Sequence, residues 1–151
     1  LAEARKIMSV NFGSASLWAM SAAELLIKAG KRDGVLIGVS TVAGDRGRRS
    51  NYVYGAAKAG FSVLLQGIAH RMAAIPNGPS AKVIKFGFVD TAMTADIKKG
   101  GPLWASADAA AQVVLRTMDG GGPIIYGPWF WRWIMLIIRC LPAPIFNRVN
   151  L

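Results

Sequence analysis

The chain alternates stretches of helical apolar period with short continuous apolar runs. From Ala2 to Ala29, the apolar residues Ile7, Leu17, Trp18, Leu25 and Leu26 recur among small and polar ones, which predicts a helix. Gly30 stops it, and Lys28 and Lys31 suit the negative end of its dipole. Val35-Leu36-Ile37-Gly38-Val39 then reads as a buried strand. A second helix is expected from Tyr54 to about Ala74, with Phe61, Leu64, Leu65, Ile68 and Met72 on one face and Gly60 and Gly67 leaving room for close helix contact. Pro76-Asn77-Gly78-Pro79 closes it. A strand from Lys82 to Phe86, a mobile stretch over 92–103, a helix from Ser106 or Ala107 to Met118 and a short strand from Pro123 to Tyr126 complete an α/β alternation without an internal repeat.

The tail breaks this pattern. From Pro128 it runs Trp129-Phe130-Trp131-Arg132-Trp133-Ile134-Met135-Leu136-Ile137-Ile138-Arg139-Cys140-Leu141 and stops at Pro142. It is apolar nearly all round, with Arg132 and Arg139 two helical turns apart on one face. A spanning helix needs about 20 apolar residues, so the segment reads as interfacial, its three Trp at headgroup depth and its Arg reaching lipid phosphates. The competing expectation is a helix packed in a subunit interface.

Composition narrows the class. With 151 residues, 53% hydrophobic and a mean hydropathy of +0.36, the chain suits one compact domain and is too apolar for disorder. Its single cysteine, Cys140, excludes an internal disulfide and a cysteine-cluster metal site, and points to cytoplasmic chemistry. The one histidine, His70, falls on the polar side of the second helix, so a zinc site or hydrolytic triad has no support and no metal is expected. The charge of +10 calls for an anionic neighbour. Nucleic acid is not expected, since the cations are not interleaved with aromatics along a groove and no binding motif appears.

The chemistry concentrates in Val53-Tyr54-Gly55-Ala56-Ala57-Lys58. Residues four apart on a helix are neighbours at about 5–6 Å. A phenol ionises near pH ~10, and an adjacent ammonium lowers that value, so the pair is equipped to trade a proton with a substrate oxygen. Upstream, the first strand ends in two hydroxyls, Ser40 and Thr41, at the carboxyl end where open α/β sheets place ligands.

Strand, hydroxyl, small-residue loop and Tyr-x-x-x-Lys together resemble the short-chain dehydrogenase/reductase family. The resemblance implies a Rossmann-like, doubly wound parallel sheet in three αβα layers, and a cofactor that is NAD or NADP. It implies catalytic roles for Tyr54 and Lys58, with Lys58 also holding the nicotinamide ribose. The family's hydroxyl stands about thirteen residues before its Tyr, which gives Thr41, where the family usually has Ser; Ser40 is one residue early and is the second choice. Asn11 matches the family's Asn, which interrupts the preceding helix and holds a water for proton relay. The run from Lys82 to Thr91 resembles the strand and Pro-Gly-x-x-x-Thr turn, with Phe86 in place of Pro and a looser backbone expected there. Gly87, Val89 and Thr91 fall where the family contacts nicotinamide and diphosphate. Residues 92–104 fall at its substrate loop, which assigns Met93 and Trp104 to substrate and gives Lys98-Lys99-Gly100-Gly101-Pro102 as a basic tip. The family's two long helices pair across a dimer axis, implying a homo-oligomer.

The family's amino-terminal half, with its Gly-rich diphosphate turn, has no counterpart in these residues. The expectation is therefore the carboxyl-terminal part of such a domain over 1–127, followed by the apolar basic tail over 128–151, with an edge strand and apolar faces exposed.

Asp45-Arg46-Gly47-Arg48-Arg49 lies between the hydroxyls and Tyr54. Arg46, Arg48 and Arg49 are candidates for a substrate phosphate, since guanidinium matches that geometry with paired hydrogen bonds; a solvated loop or anionic lipid are the alternatives. With the tail, this loop resembles reductases that, beside an oxidase partner, reduce a polyprenylphosphoryl keto-pentose at the inner face of the membrane. A fatty or steroid-like ketone suits the same apolar features. From another class, a non-catalytic membrane-associated interaction module also fits the missing half.

Overall fold

The computed structural model describes residues 1–97 and 100–149, so the Lys98-Lys99 part of the expected basic tip lies outside the described residues. The opening helix is not regular throughout. α1 (Ala2–Met8) passes through a π-helical turn at Ser9–Ser14 into α2 (Ala15–Lys28). β1 (Val35–Thr41) leads through a 3₁₀ turn at Val42–Gly44 to α3 (Tyr52–Ala73) and β2 (Ser80–Phe86). A two-residue β3 (Phe88–Val89) pairs in parallel with β4 (Trp104–Ala105). α4 (Ala107–Asp119), β5 (Ile124–Gly127), α5 (Trp131–Cys140) and the short α6 (Ala143–Phe146) follow.

The main sheet is parallel, in the order β1-β2-β5. Its register aligns the carboxyl ends: Thr41 faces Phe86, and Phe86 faces Gly127. α2 and α3 cover one face, where Ala19, Phe61, Leu65 and Val83 form one buried cluster and Ala23, Ala69, Met72 and Ala81 another. The small residues of α2 let the helices approach. At Gly60 the approach is close, since an added Cβ would stand 3.1 Å from the Phe12 ring; at Gly67 it would meet nothing within 4 Å, so the second expected close contact is not made.

α4 lies on the opposite face, and a buried lysine ties it there. From the interior of β2, Lys82 Nζ donates to the Thr117 carbonyl at 2.5 Å and the Gly120 carbonyl at 2.8 Å. Both belong to the end of α4, where carbonyls lack helical partners. Ser106 opens the same helix, its Oγ accepting from the Ala109 amide at 3.1 Å.

The tail folds back into this core. Trp131, Met135 and Ile138 are spaced by four and three residues and are buried with Val42, against Phe88, Tyr126 and Phe146. This corrects the picture of an all-round apolar helix with three Trp at its outer surface, because Trp131 is only 3% exposed while Trp129 and Trp133 are 73% and 55% exposed. The division at 127/128 therefore separates no packed units. Leu136, Ile137 and Ile145 remain on the outside with the latter two Trp. No helix among the described residues is long and apolar enough to cross a membrane.

Candidate active site

Tyr54 and Lys58 occupy the first turns of α3, which rests on the 3₁₀ turn after Thr41. The rest is tight. A Cβ on Gly55 would lie 2.8 Å from the Ala43 carbonyl oxygen, and one on Gly44 would lie 2.9 Å from the Ala59 amide nitrogen. Glycine at both points thus sets the distance between the strand end and the helix head.

The two hydroxyls at the end of β1 diverge, as alternate residues of a strand must. Ser40 is buried, shares a 2.7 Å hydrogen bond with Ser62 Oγ, and donates to the Lys58 carbonyl at 3.3 Å. It is a bolt between β1 and α3. Thr41 is half-buried, and its Oγ1 accepts from the Ala43 amide at 3.2 Å, which leaves its own O–H available. Of the two candidates, Thr41 is the one whose proton is not committed to the core.

Lys58 Nζ donates to the Val39 carbonyl at 3.3 Å and stands 6.0 Å from the centre of the Tyr54 ring. Burial pushes the Tyr54 phenol above its ordinary value and holds the Lys58 ammonium below its own. The expected depression of the phenol by the neighbouring cation is thus outweighed. A phenolate loses more hydration in this half-buried place than it gains from an ammonium turned toward Val39. Tyr54 stays protonated through neutral pH as a result.

Asn11 sits in the π-helical turn, its Nδ2 donating to the Ile7 carbonyl at 3.1 Å. Turns of this kind interrupt helices at functional positions. Here the turn gives a physical form to the interruption expected at Asn11.

The segment after β2 is held more firmly than anticipated. Phe86 is buried and laddered to both neighbouring strands, so its backbone is not loosened by the missing Pro. The Gly87 amide donates to the Gly127 carbonyl at 3.1 Å, and a Cβ there would fall 1.9 Å from Trp131 Nε1. Gly87 therefore admits the tail's indole. The Val89 carbonyl accepts from Thr94 Oγ1 at 2.8 Å, and Thr91 caps the following turn reciprocally with Thr94. Met93 is 82% exposed, whereas Trp104 stacks on Phe88 at 5.1 Å.

The arginines part company. Arg46 donates to the carbonyls of Ile138, Arg139 (3.4 Å) and Leu141 (2.7 Å) at the end of α5, and stacks on Phe146 at 3.8 Å. Its guanidinium caps a helix, which corrects its placement as a phosphate ligand. Arg48 is half-buried and Arg49 is exposed.

One group escaped the sequence. Asp45, with its side chain 2% exposed, accepts from the Lys85 ammonium and, at 2.7 Å, from the Tyr126 hydroxyl. Burial first, and then the bond to Asp45, push Tyr126 up to about 12, with Arg139 opposing. The available signal was a Lys inside a strand run, since a charge there needs a partner.

A nicotinamide fits the residues present in part. An ammonium has three donors, and Lys58 spends one on Val39, leaving others for a sugar hydroxyl. Lys58 and Val39 line a hollow of about 410 Å³ along the outer edge of β1, with Trp18 and Ala19 from α2. A Gly-rich cradle for a diphosphate is not among these residues.

The fold and these side chains define the class. The family described as short chain dehydrogenase matches residues 1–101, and the chain belongs to it. An uncharacterized oxidoreductase of Mycobacterium tuberculosis is 33% identical over 116 residues, which are 77% of this chain and 45% of that protein. One from Streptomyces coelicolor is 27% identical over 117 residues, again 77% and 45%. The chain thus spans about half the length of these curated relatives. Among solved structures, a short chain dehydrogenase from Burkholderia cenocepacia in complex with NADP superposes with a TM-score of 0.71 at 19% identity, covering 92% of this chain and 60% of that one. A short-chain type dehydrogenase/reductase from Mycobacterium ulcerans gives 0.69 at 16% identity, covering 97% and 60%.

Proposed function

We propose that this chain carries the proton-transfer side of an NAD- or NADP-dependent oxidoreductase that interconverts a ketone and a secondary alcohol. The observation that carries the reading is the placement of Tyr54 and Lys58 side by side on the head of α3, against the turn that Thr41 opens. The nicotinamide, when bound, supplies or accepts the hydride.

The chain's own groups handle the oxygen. Tyr54, protonated at neutral pH, gives its proton to the oxygen as negative charge develops there. Thr41 donates a hydrogen bond to the same oxygen. Lys58 holds the cofactor ribose and supplies positive charge beside the phenol. Asn11, in the widened turn, keeps a water in place to restore the Tyr54 proton. Gly87, Val89 and Thr91, just after β2, would contact the nicotinamide and diphosphate of the cofactor. The Burkholderia structure contains NADP, which supports a nicotinamide cofactor here.

The finer reading is a polyprenylphosphoryl keto-pentose as substrate, reduced by a homo-oligomer beside an oxidase partner at the inner face of the membrane. Arg48 and Arg49 beside the active-site loop, and the outward Trp133, Leu136 and Ile137 of α5, support it. The exposure of Met93 favours a fatty or steroid-like ketone as the second reading.

Tyr54→Phe in the full-length protein tests the chemistry. Turnover should fall by about 10²–10⁴-fold with cofactor affinity retained; near-normal turnover removes Tyr54 from the role. Comparison of a free ketone with a prenylphosphoryl keto sugar tests the substrate. Equal kcat/KM for the two sinks the finer reading.

A further inference from the structure

The loop between β1 and α3 and the end of the tail enclose a groove of about 250 Å³, lined by Gly47, Arg48, Arg49, Phe146, Asn147 and Val149. Among the described residues no acidic side chain lines it. Its mouth is open at Gly47, where an added Cβ would meet nothing within 4 Å.

Arg48 is poorly matched to its surroundings. Its Nη2 stands 4.0 Å from the Met135 sulfur, a weak acceptor, and its Nε is shut off from water without a hydrogen-bond partner. Burial holds its pKa below the ordinary value, with Asp45 opposing. Asp45 does not answer the need directly, because its two oxygens are engaged by Lys85 and Tyr126. A cation placed this way is costly unless an anion meets it. Arg46, facing the end of α5, does not compete, and by stacking on Phe146 it fixes the apolar wall of the groove.

We propose that this groove binds a phosphate ester of an apolar alcohol. Arg48 takes the phosphate oxygens with its guanidinium, and the charge of Arg49 on the same lining favours an anion there. The Asn147 amide donates to a remaining oxygen, and Phe146 and Val149 carry the first carbons of the alcohol. The inference rests on the reading that the substrate is phosphate-bearing, and it places that phosphate between the active-site loop and the tail, with Arg46 as support for the wall.

The test is calorimetric titration of the full-length protein, loaded with its cofactor, with geranyl phosphate and separately with inorganic phosphate. Geranyl phosphate should bind at least about tenfold more tightly than phosphate. Arg48→Ala should weaken it by about tenfold or more, and Arg48→Lys, which keeps charge and stem but not the fork, by about threefold. If Arg48→Ala does not fold, Arg48→Lys carries the comparison. Wild-type affinity in both variants overturns the site. Equal affinity for inorganic phosphate and the ester overturns the apolar part and leaves free phosphate as ligand. Binding only to phosphatidylglycerol vesicles, with none of the single molecules, means a membrane contact and overturns the groove. Cofactor-dependent turnover of an uncharged ketone, measured on the same preparation, separates failure of this site from failure of the oxidoreductase reading.

Discussion

At the scale of single residues, adjacent positions of one strand meet different surroundings. Ser40 and Thr41 are both hydroxyls at a strand end, and only the alternation of side chains, with what each meets, separates them. Ser40 is committed to Ser62 and Lys58, while Thr41 keeps its proton. Thr41→Ala should therefore cut turnover by about 10²-fold and leave the melting temperature nearly unchanged. Ser40→Ala should keep turnover within a few-fold and lower stability by about 1 kcal/mol. Paired kinetics and thermal denaturation read both, and a reversed pattern would move the catalytic hydroxyl to Ser40. The sequence made the Tyr-Lys pair legible through its spacing. It could not give the direction of the Tyr54 shift, because spacing reports a neighbouring charge but not the burial that outweighs it here.

At the scale of elements, periodicity located the long helices and strands because each buries one face or stripe. It missed features that depend on other criteria. The π-helical turn leaves no apolar signature, and β3 and β4, two residues each, are too short to show alternation. The tail was misjudged for a related reason: its stripe of Trp131, Met135 and Ile138 is hidden among equally apolar neighbours, and only packing reveals which face is inside. Gly87 is the point where that packing is least forgiving. Gly87→Ala places a methyl into the Trp131 indole, so it should cost about 1–3 kcal/mol or more and raise indole fluorescence quenching by solvent; unchanged urea midpoints would mean the tail yields without loss. The Asp45–Lys85–Tyr126 group gives a second prediction. Tyr126 ionises near pH ~10 when unfolded and at about 12 when folded. The folded state then retains a proton that the unfolded state has lost, so the contribution is intact below pH ~10 and disappears as pH rises toward about 12. Tyr126→Phe should be less stable at pH 8 by about 1–2 kcal/mol, yet lose less than wild type between pH 9 and 11. Parallel slopes in denaturant titrations at those pH values would exclude Tyr126 as the source.

At the scale of the whole molecule, the exposed apolar residues fall into surfaces with different needs. Val39 and Trp18 border the hollow beside the free edge of β1, and a strand edge is satisfied by another strand. Leu17 and Leu25 on α2 and Val63 on α3 are exposed at 64%, 68% and 66% without lying on that edge. Side chains of this size on the outer surface of two helices in one layer are suited to meet the same helices of a second copy, since a twofold contact requires a self-complementary patch. The helix surface is not explained by the candidate active site, whereas the hollow at the β1 edge includes Lys58. The two can therefore be tested separately. Leu25→Glu with Val63→Glu in the full-length protein places carboxylates where the copies would meet and leaves the β1 edge untouched. Sedimentation equilibrium should show the self-association constant falling by at least about tenfold, the cost of burying an unpaired charge, while the thermal midpoint at high dilution stays near that of the wild type because both positions are exposed in the single chain. An oligomer of unchanged mass and affinity would transfer the assembly role to the outward face of α5, where Trp133, Leu136 and Ile137 then become the positions to charge.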